Sequence, residues 1–190
     1  APLVVKYGRP KVAICRDQGT LGHHEMAFSF ERAGFTPVDV TISDLIERRV
    51  LLEQFAGLAL CSGSTFGHVF GSAVGWSKTI LEHPKVRAQF AAFFEREDSF
   101  TLGVGEGAQL LIHLKSLIPG AVHWPNFQTN ASRRFESRLV MARVEPSNSI
   151  LTRGMVGSYA PIWVAHESGR AVYKSQHQAL QAQINRAVVF

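Results

Sequence analysis

The stretch Leu102–Leu111 reads LGVGEGAQLL, and the fold turns on how it is read. An apolar run from Phe100 to Val104 ends in Gly105 and Gly107 around Glu106, and a helical pattern begins at Ala108. A strand, a sharp turn and a helix in that order lift a catalytic Ser or Cys clear of a sheet. The central residue here is Gly105, which has no side chain to serve as nucleophile. Gly-rich strand-to-helix turns also hold phosphate at a helix N-terminus, so the turn alone leaves both chemistries open.

Upstream, strand-like and helix-like segments alternate. KVAIC (11–15) and TPVDVTI (36–42) are β-rich, and GLALCSG (57–63) is a continuous apolar run suited to a strand buried on both faces. Between them, 24–33 reads as a helix stopped by Gly34, and 43–55 as a helix with Ser43 as N-cap. A glycine-rich loop, 62–75, leads to two helical pieces on either side of Pro84. This order predicts an α/β doubly wound, mostly parallel sheet of the flavodoxin-like kind. Sites in such sheets lie at the C-terminal strand ends, so 16–19, 61–68 and 103–108 are expected to come together. Beyond Pro125 the alternating segments 137–145 and 160–167 predict an antiparallel addition. The expected organisation is one domain: an N-terminal extension (1–9), an α/β core (10–125) and a strand-rich C-terminal part (126–190).

Composition sets the class. With 190 residues, 46% hydrophobic and 18% charged, the chain suits a soluble globular domain with a real core. No apolar run approaches the roughly 20 residues of a membrane span, and the N-terminus carries no secretory signature. The chain begins with Ala1, as expected of a processed or excised product. Cys15 and Cys61 end apolar runs and read as buried reduced thiols of an intracellular protein, mitochondrial or cytoplasmic. The net charge is +5, with 14 Arg against 6 Lys. Scattered basic residues fit a solvated surface or an acidic partner such as RNA.

Five segments together resemble the glutaminase domain of formylglycinamidine ribonucleotide synthetase, a class I glutamine amidotransferase. They are KVAICRDQGTLGHHEMAFSFERAGF (11–35), GWSKTIL (75–81), LGVGEGAQLL (102–111), NASRRFESR (130–138) and GMVGSYAPIWVAHESGR (154–170). The family elbow reads Leu-Gly-Val-Cys-Asn-Gly-Cys-Gln. Leu102, Gly103, Val104, Gly107 and Gln109 match it, while Gly105 replaces the nucleophilic cysteine and Glu106 the asparagine. The family oxyanion loop, Gly-Gly-Phe-Ser-Tyr-Gly-Asp, corresponds to Ser62, Gly63, Ser64, Thr65, Phe66, Gly67 and His68. The base and its orienting acid lie in a family His-Pro-Glu, which these 190 residues do not contain. The resemblance therefore implies a glutaminase fold with a degenerate nucleophile position at Gly105 and a degenerate oxyanion loop at Gly63, Ser64 and Thr65, and no catalytic residue. Neither a cofactor nor a metal is expected.

Other groups are candidates to substitute for the missing triad. Cys61 aligns with a family strand cysteine and is not at the elbow. Ser64 and His68 form a dyad only if the loop brings them together. His23-His24-Glu25 looks like a helix start and lacks the companions a closed zinc site needs. His113 and His123 read as a helix-face and a loop residue. Asn130, Arg134, Glu136 and Arg138 keep the family spacing and read as fold-maintaining polar contacts on a strand. His166, Glu167 and Arg170 stand where the family has His-Gly-Glu-Gly-Arg and read as a retained hydrogen-bond network. The expected function is a catalytically inactive pseudo-glutaminase that holds together a larger complex, a mitochondrial ribonucleoprotein foremost. Its partners would be other proteins of that complex and RNA on a basic surface, with no membrane. The alternatives are the glutaminase domain of a purine-biosynthetic synthetase and a viral or regulatory protein-binding homologue.

Overall fold

The computed structural model describes residues 8–187; residues 1–7 of the expected 1–9 extension lie outside the described residues. The chain forms two compact units, 1–119 and 120–190. In the first, β1 (Lys11–Arg16) is followed by the short β2 (Thr20–Leu21), α1 (His23–Arg32), β3 (Thr36–Thr41) and α2 (Ile42–Ile46). Then come β4 (Gly57–Leu60), β5 (Ser62–Gly63), α3 (Val74–Leu81), α4 (Pro84–Phe94), β6 (Phe100–Gly103) and α5 (Glu106–His113). The four long strands form a parallel sheet in the order β3-β1-β4-β6. Counted along the chain these are strands 2-1-3-4, the doubly wound order expected.

Alternation along the strands sorts the core into two layers. Ala13, Cys15, Leu58 and Leu60 join Trp76, Ile80, Phe90, Phe93 and Leu110 on one face, under α3, α4 and α5. Val12, Ile14, Ala59 and Cys61 face the other way, against Met26, Ala27 and Phe30 of α1. Trp76 and Phe90 have no accessible surface, and burial of such a ring stabilises by about 1.5–3 kcal/mol.

Three local expectations are corrected. The helix expected over 43–55 is only Ile42–Ile46, and its N-cap is Thr41. The Thr41 hydroxyl accepts from the Asp44 N–H while the Asp44 carboxylate accepts from the Thr41 N–H, a complete capping box that Ser43 lacks. Arg48, at φ +58°, then turns the chain out of the helix. The run 57–63 is two strands, because the chain bends after Leu60 and Ser62–Gly63 pairs antiparallel with Thr20–Leu21. Pro84, as expected, starts α4 at its first turn, where its missing N–H costs nothing.

The second unit contains β7 (Asn126–Gln128), β8 (Glu136–Arg143), β9 (Tyr159–His166), β10 (Arg170–Val172) and α6 (Gln176–Ile184). β7 pairs antiparallel with β10, and β8 with β9 over the register Glu136–His166 to Arg143–Tyr159. Asn130 and Arg134 lie in the turn before β8 and not on a strand, which corrects the third expectation. There the Asn130 amide donates to the carbonyls of Arg134 (3.0 Å) and His166 (2.8 Å), and its Oδ1 lies 3.0 Å from His166 Nδ1. One buried side chain thus closes the turn against the end of β9, the network expected around His166. Arg170 joins through Thr129 O at 3.2 Å. Among the described residues no helix is long and apolar enough to cross a membrane.

Candidate functional site

The three expected strand ends do converge. Ser64 N–H donates to Gly19 O at 3.0 Å, Phe66 N–H to Gln18 O at 3.0 Å, and Val104 N–H to Leu60 O at 3.0 Å. The glycines are required by contact. A Cβ on Gly63 would meet the backbone of residues 19–21 at 2.6–2.7 Å, and one on Gly107 would strike Leu60 O.

Gly105 sits between β6 and α5 at φ +56°, ψ −117°, a conformation that L side chains adopt only under strain. The helix starts at Glu106, two residues before the expected Ala108, since the bend at Gly105 completes the turn at once. The sharp strand-to-helix turn expected at this position is therefore present. A Cβ added at Gly105 would collide with Ser62 Oγ and lie 3.0 Å from Ser62 Cβ. Ser62 stands where the resembling family has glycine, so the space for a side chain at 105 is crowded from the facing loop.

Glu106 is the residue that sequence reasoning passed over. It is 4% exposed, and its carboxylate collects donors from the loop that follows β5. Thr65 N–H donates to Oε2 at 2.9 Å and Thr65 Oγ1–H to Oε1 at 2.6 Å. Ala73 N–H donates to Oε1 at 2.9 Å, and His68 Nε2 lies 3.0 Å from the same oxygen. Phe66, His68 and Ala73 all hold positive φ, between +51° and +59°. Each costs free energy for a non-glycine residue, and at His68 and Ala73 hydrogen bonds to the one buried carboxyl offset that cost. The available signal was the pairing of two departures from the family motifs, Asn to Glu106 and Asp to His68, which the fold brings together as an acid and a base.

This arrangement is unsuited to the chemistry of an oxyanion hole, which needs free N–H donors aimed at developing negative charge. Ser64 N–H is used by Gly19 O and Thr65 N–H by the Glu106 carboxyl, so neither is free to meet an oxyanion. Ser64 is exposed and makes no hydrogen bond to His68, whose Nε2 is committed to Glu106. Cys61 is fully buried, and burial pushes its thiol up to about 11. Among the described residues no three His, Cys, Asp or Glu side chains are placed to hold a metal ion. His113 closes α5 with its Nε2 3.1 Å from Ser72 O, and His123 lies in a single helical turn, 121–123.

Known structures share this arrangement of strands and helices. The chain is similar to the structure of PurLQS from Thermotoga maritima, with TM-score 0.72 and 21% identity, over 88% of this chain and 71% of that one. It is also similar to a protein described as part of a GMP synthase from Thermoplasma acidophilum, with TM-score 0.50 and 16% identity, over 85% and 67% of the two chains. At these identities the likeness is one of fold. The family model of the CobB/CobQ-like glutamine amidotransferase domain matches residues 9–190, and the chain belongs to that family.

Proposed function

We propose that this chain is a glutamine amidotransferase domain that has lost its chemistry and serves as a structural component of a larger assembly. A cysteine-dependent glutaminase forms a thioester when a thiolate attacks the amide carbon, and a histidine carries the proton. Gly105 offers no sulfur to form that bond. The observation that supports the reading is Ser62, whose side chain crowds the place that a side chain at 105 would take. A site that had merely lost its nucleophile would keep that space open.

The test is ammonia release from glutamine by the purified protein. None above background is expected. Release that disappears in Cys61→Ala or Ser64→Ala would overturn the reading. The Arg-rich balance supports a ribonucleoprotein as the assembly, and co-sedimentation with a large particle, reversed by salt, is the matching measurement.

The likeness to PurLQS favours a second reading, a glutaminase-like domain of a formylglycinamidine ribonucleotide synthetase. In that case the chain would co-purify with a synthetase that runs on free ammonia and gains nothing from glutamine. A synthetase stimulated by glutamine through this chain would reject both readings.

A further inference from the structure

The charge of the chain is unevenly divided. Residues 1–119 hold twelve basic and twelve acidic side chains, whereas residues 120–190 hold eight basic and three acidic. The whole net charge of +5 therefore resides in the second unit. That unit also carries an unpartnered face. On the β8–β9 ribbon the even-numbered residues from Val140 to Ala142 and from Ala160 to His166 are half-buried, while the odd-numbered residues point to solvent. Trp163 is 74% exposed, Tyr159 68%, Met141 64% and Leu139 52%. Phe135, 63% exposed, stands one residue before β8. Soluble proteins seldom expose so much contiguous apolar surface without a use for it.

Charge brackets this strip. At one end Arg133 and Arg134 precede Phe135, and at the other Arg143 faces Tyr159 across the ribbon, with Arg153 in the connecting loop. Arg143 is paired with Glu145 and Arg138 with Glu136. Arg133, Arg134 and Arg153 have no carboxylate partner among the described residues. Exposed rings on a strand pair, with free guanidinium groups at both ends, match what a single strand of nucleic acid needs. Bases stack on the rings, which is tolerant of sequence because every base has a π-face, and phosphates meet the arginines. Eight strand residues span about 26 Å, room for several nucleotides. A second copy of the chain would bring the same positive charge to the strip and be repelled.

We propose that the exposed face of the β8–β9 ribbon binds single-stranded nucleic acid, with Trp163 and Tyr159 as stacking platforms and Arg133, Arg134 and Arg153 as phosphate contacts. The inference is independent of whether the elbow is catalytically dead.

The experiment is titration of the full chain with fluorescein-labelled oligouridylate at low salt, read by anisotropy and tryptophan fluorescence. Saturable binding with quenching is expected, with affinity that falls linearly in log-log salt. Trp163→Leu and Tyr159→Ala should each weaken binding about tenfold or more, whereas Trp163→Phe keeps a ring and most of the affinity. Arg133→Ser with Arg134→Ser should weaken binding and flatten the salt slope. All these positions are exposed, and unchanged denaturant midpoints confirm folding. Three outcomes overturn the proposal. One is no saturable binding. A second is equal affinity for Trp163→Leu and Trp163→Phe, which means charge alone holds the strand. The third is a nuclease-resistant protein partner whose retention needs Leu139 and Met141, which makes the strip a protein-docking surface.

Discussion

The Ser62 hydroxyl lies within clashing distance of the point where a side chain at residue 105 would begin, and its Cβ is 3.0 Å from that point. The two residues come from different strand ends, and each is permitted by the other. With glycine at 105 the serine fits as it stands, and a cysteine at 105 requires the serine side chain to shift.

Restoring the family nucleophile should therefore fail on two counts. Gly105→Cys is expected to give no glutamine hydrolysis and to lower stability by about 1–3 kcal/mol, since the φ of +56° strains any L side chain. Adding Ser62→Gly should recover part of that loss, because it removes the collision and leaves only the backbone strain. Denaturant midpoints of the four proteins in this cycle, at equal slope, measure the coupling. Strict additivity would mean the two positions do not compete for space.

Glu106→Ala should cost about 2–4 kcal/mol, because it strands the buried N–H groups of Thr65 and Ala73 together. Glu106→Gln should cost less, since its amide oxygen still accepts. Hydrogen exchange reads the local effect. Protection at Thr65 and Ala73 is expected to collapse in the alanine variant while the β1 and β4 amides stay slow. Uniform loss across the sheet would show that Glu106 supports the whole unit and not the loop.

In the second unit Asn130→Ala should be among the more damaging polar substitutions, at about 2–3 kcal/mol, since it removes the bonds to the His166 and Arg134 carbonyls and to the His166 ring at once. Urea unfolding followed by far-UV circular dichroism is the measurement. A loss below about half a kilocalorie, of the order of a surface change, would mean the turn is not held by this side chain.

Burial raises both cysteine thiols, Cys61 up to about 11 and Cys15 further. Neither is expected to react with an aromatic disulfide reagent in the native protein at neutral or mildly alkaline pH, and both should react at once in denaturant. The linkage sign follows. An acid whose folded pKa is raised keeps its proton in the native state while the unfolded thiol loses it. Stability therefore falls as pH rises above the ordinary thiol value of about 8.5, and continues to fall up to the folded value. Cys61→Ala should flatten that alkaline decline.

The cap of α2 is a separate pH-sensitive element. Hydrogen bonds from Thr41 hold the Asp44 carboxyl below its ordinary value. Its contribution is complete above the unfolded Asp pKa, near about 3.9, and is lost as pH falls through the folded value. Thr41→Ala should cost about 1 kcal/mol at neutral pH, and Ser43→Ala only a few tenths of that. The reverse order would restore Ser43 as the cap.

Much of this protein was open to reading along the chain. Buried apolar strands alternating with helical periodicity imply the parallel sheet, because backbone pairing and burial on both faces demand those residue types. The glycines at 103, 105 and 107 and the family motifs marked the elbow and the missing nucleophile, since such turns admit few side chains. The pattern also predicted an antiparallel C-terminal part, though not that Asn130 lies outside its strands. Local competition decided the errors: Thr41 displaced Ser43 from the cap because only its partner three residues on is an acid. Only tertiary structure decided the rest. Nothing in the spacing of Ser62 and Gly105, or of Glu106 with Thr65, His68 and Ala73, indicates contact, because those residues belong to different strand ends and meet only when the sheet closes. The same holds for the exposed ribbon face. Alternation states that one side of a strand is buried, but which side, and whether anything covers the other, depends on what packs against it.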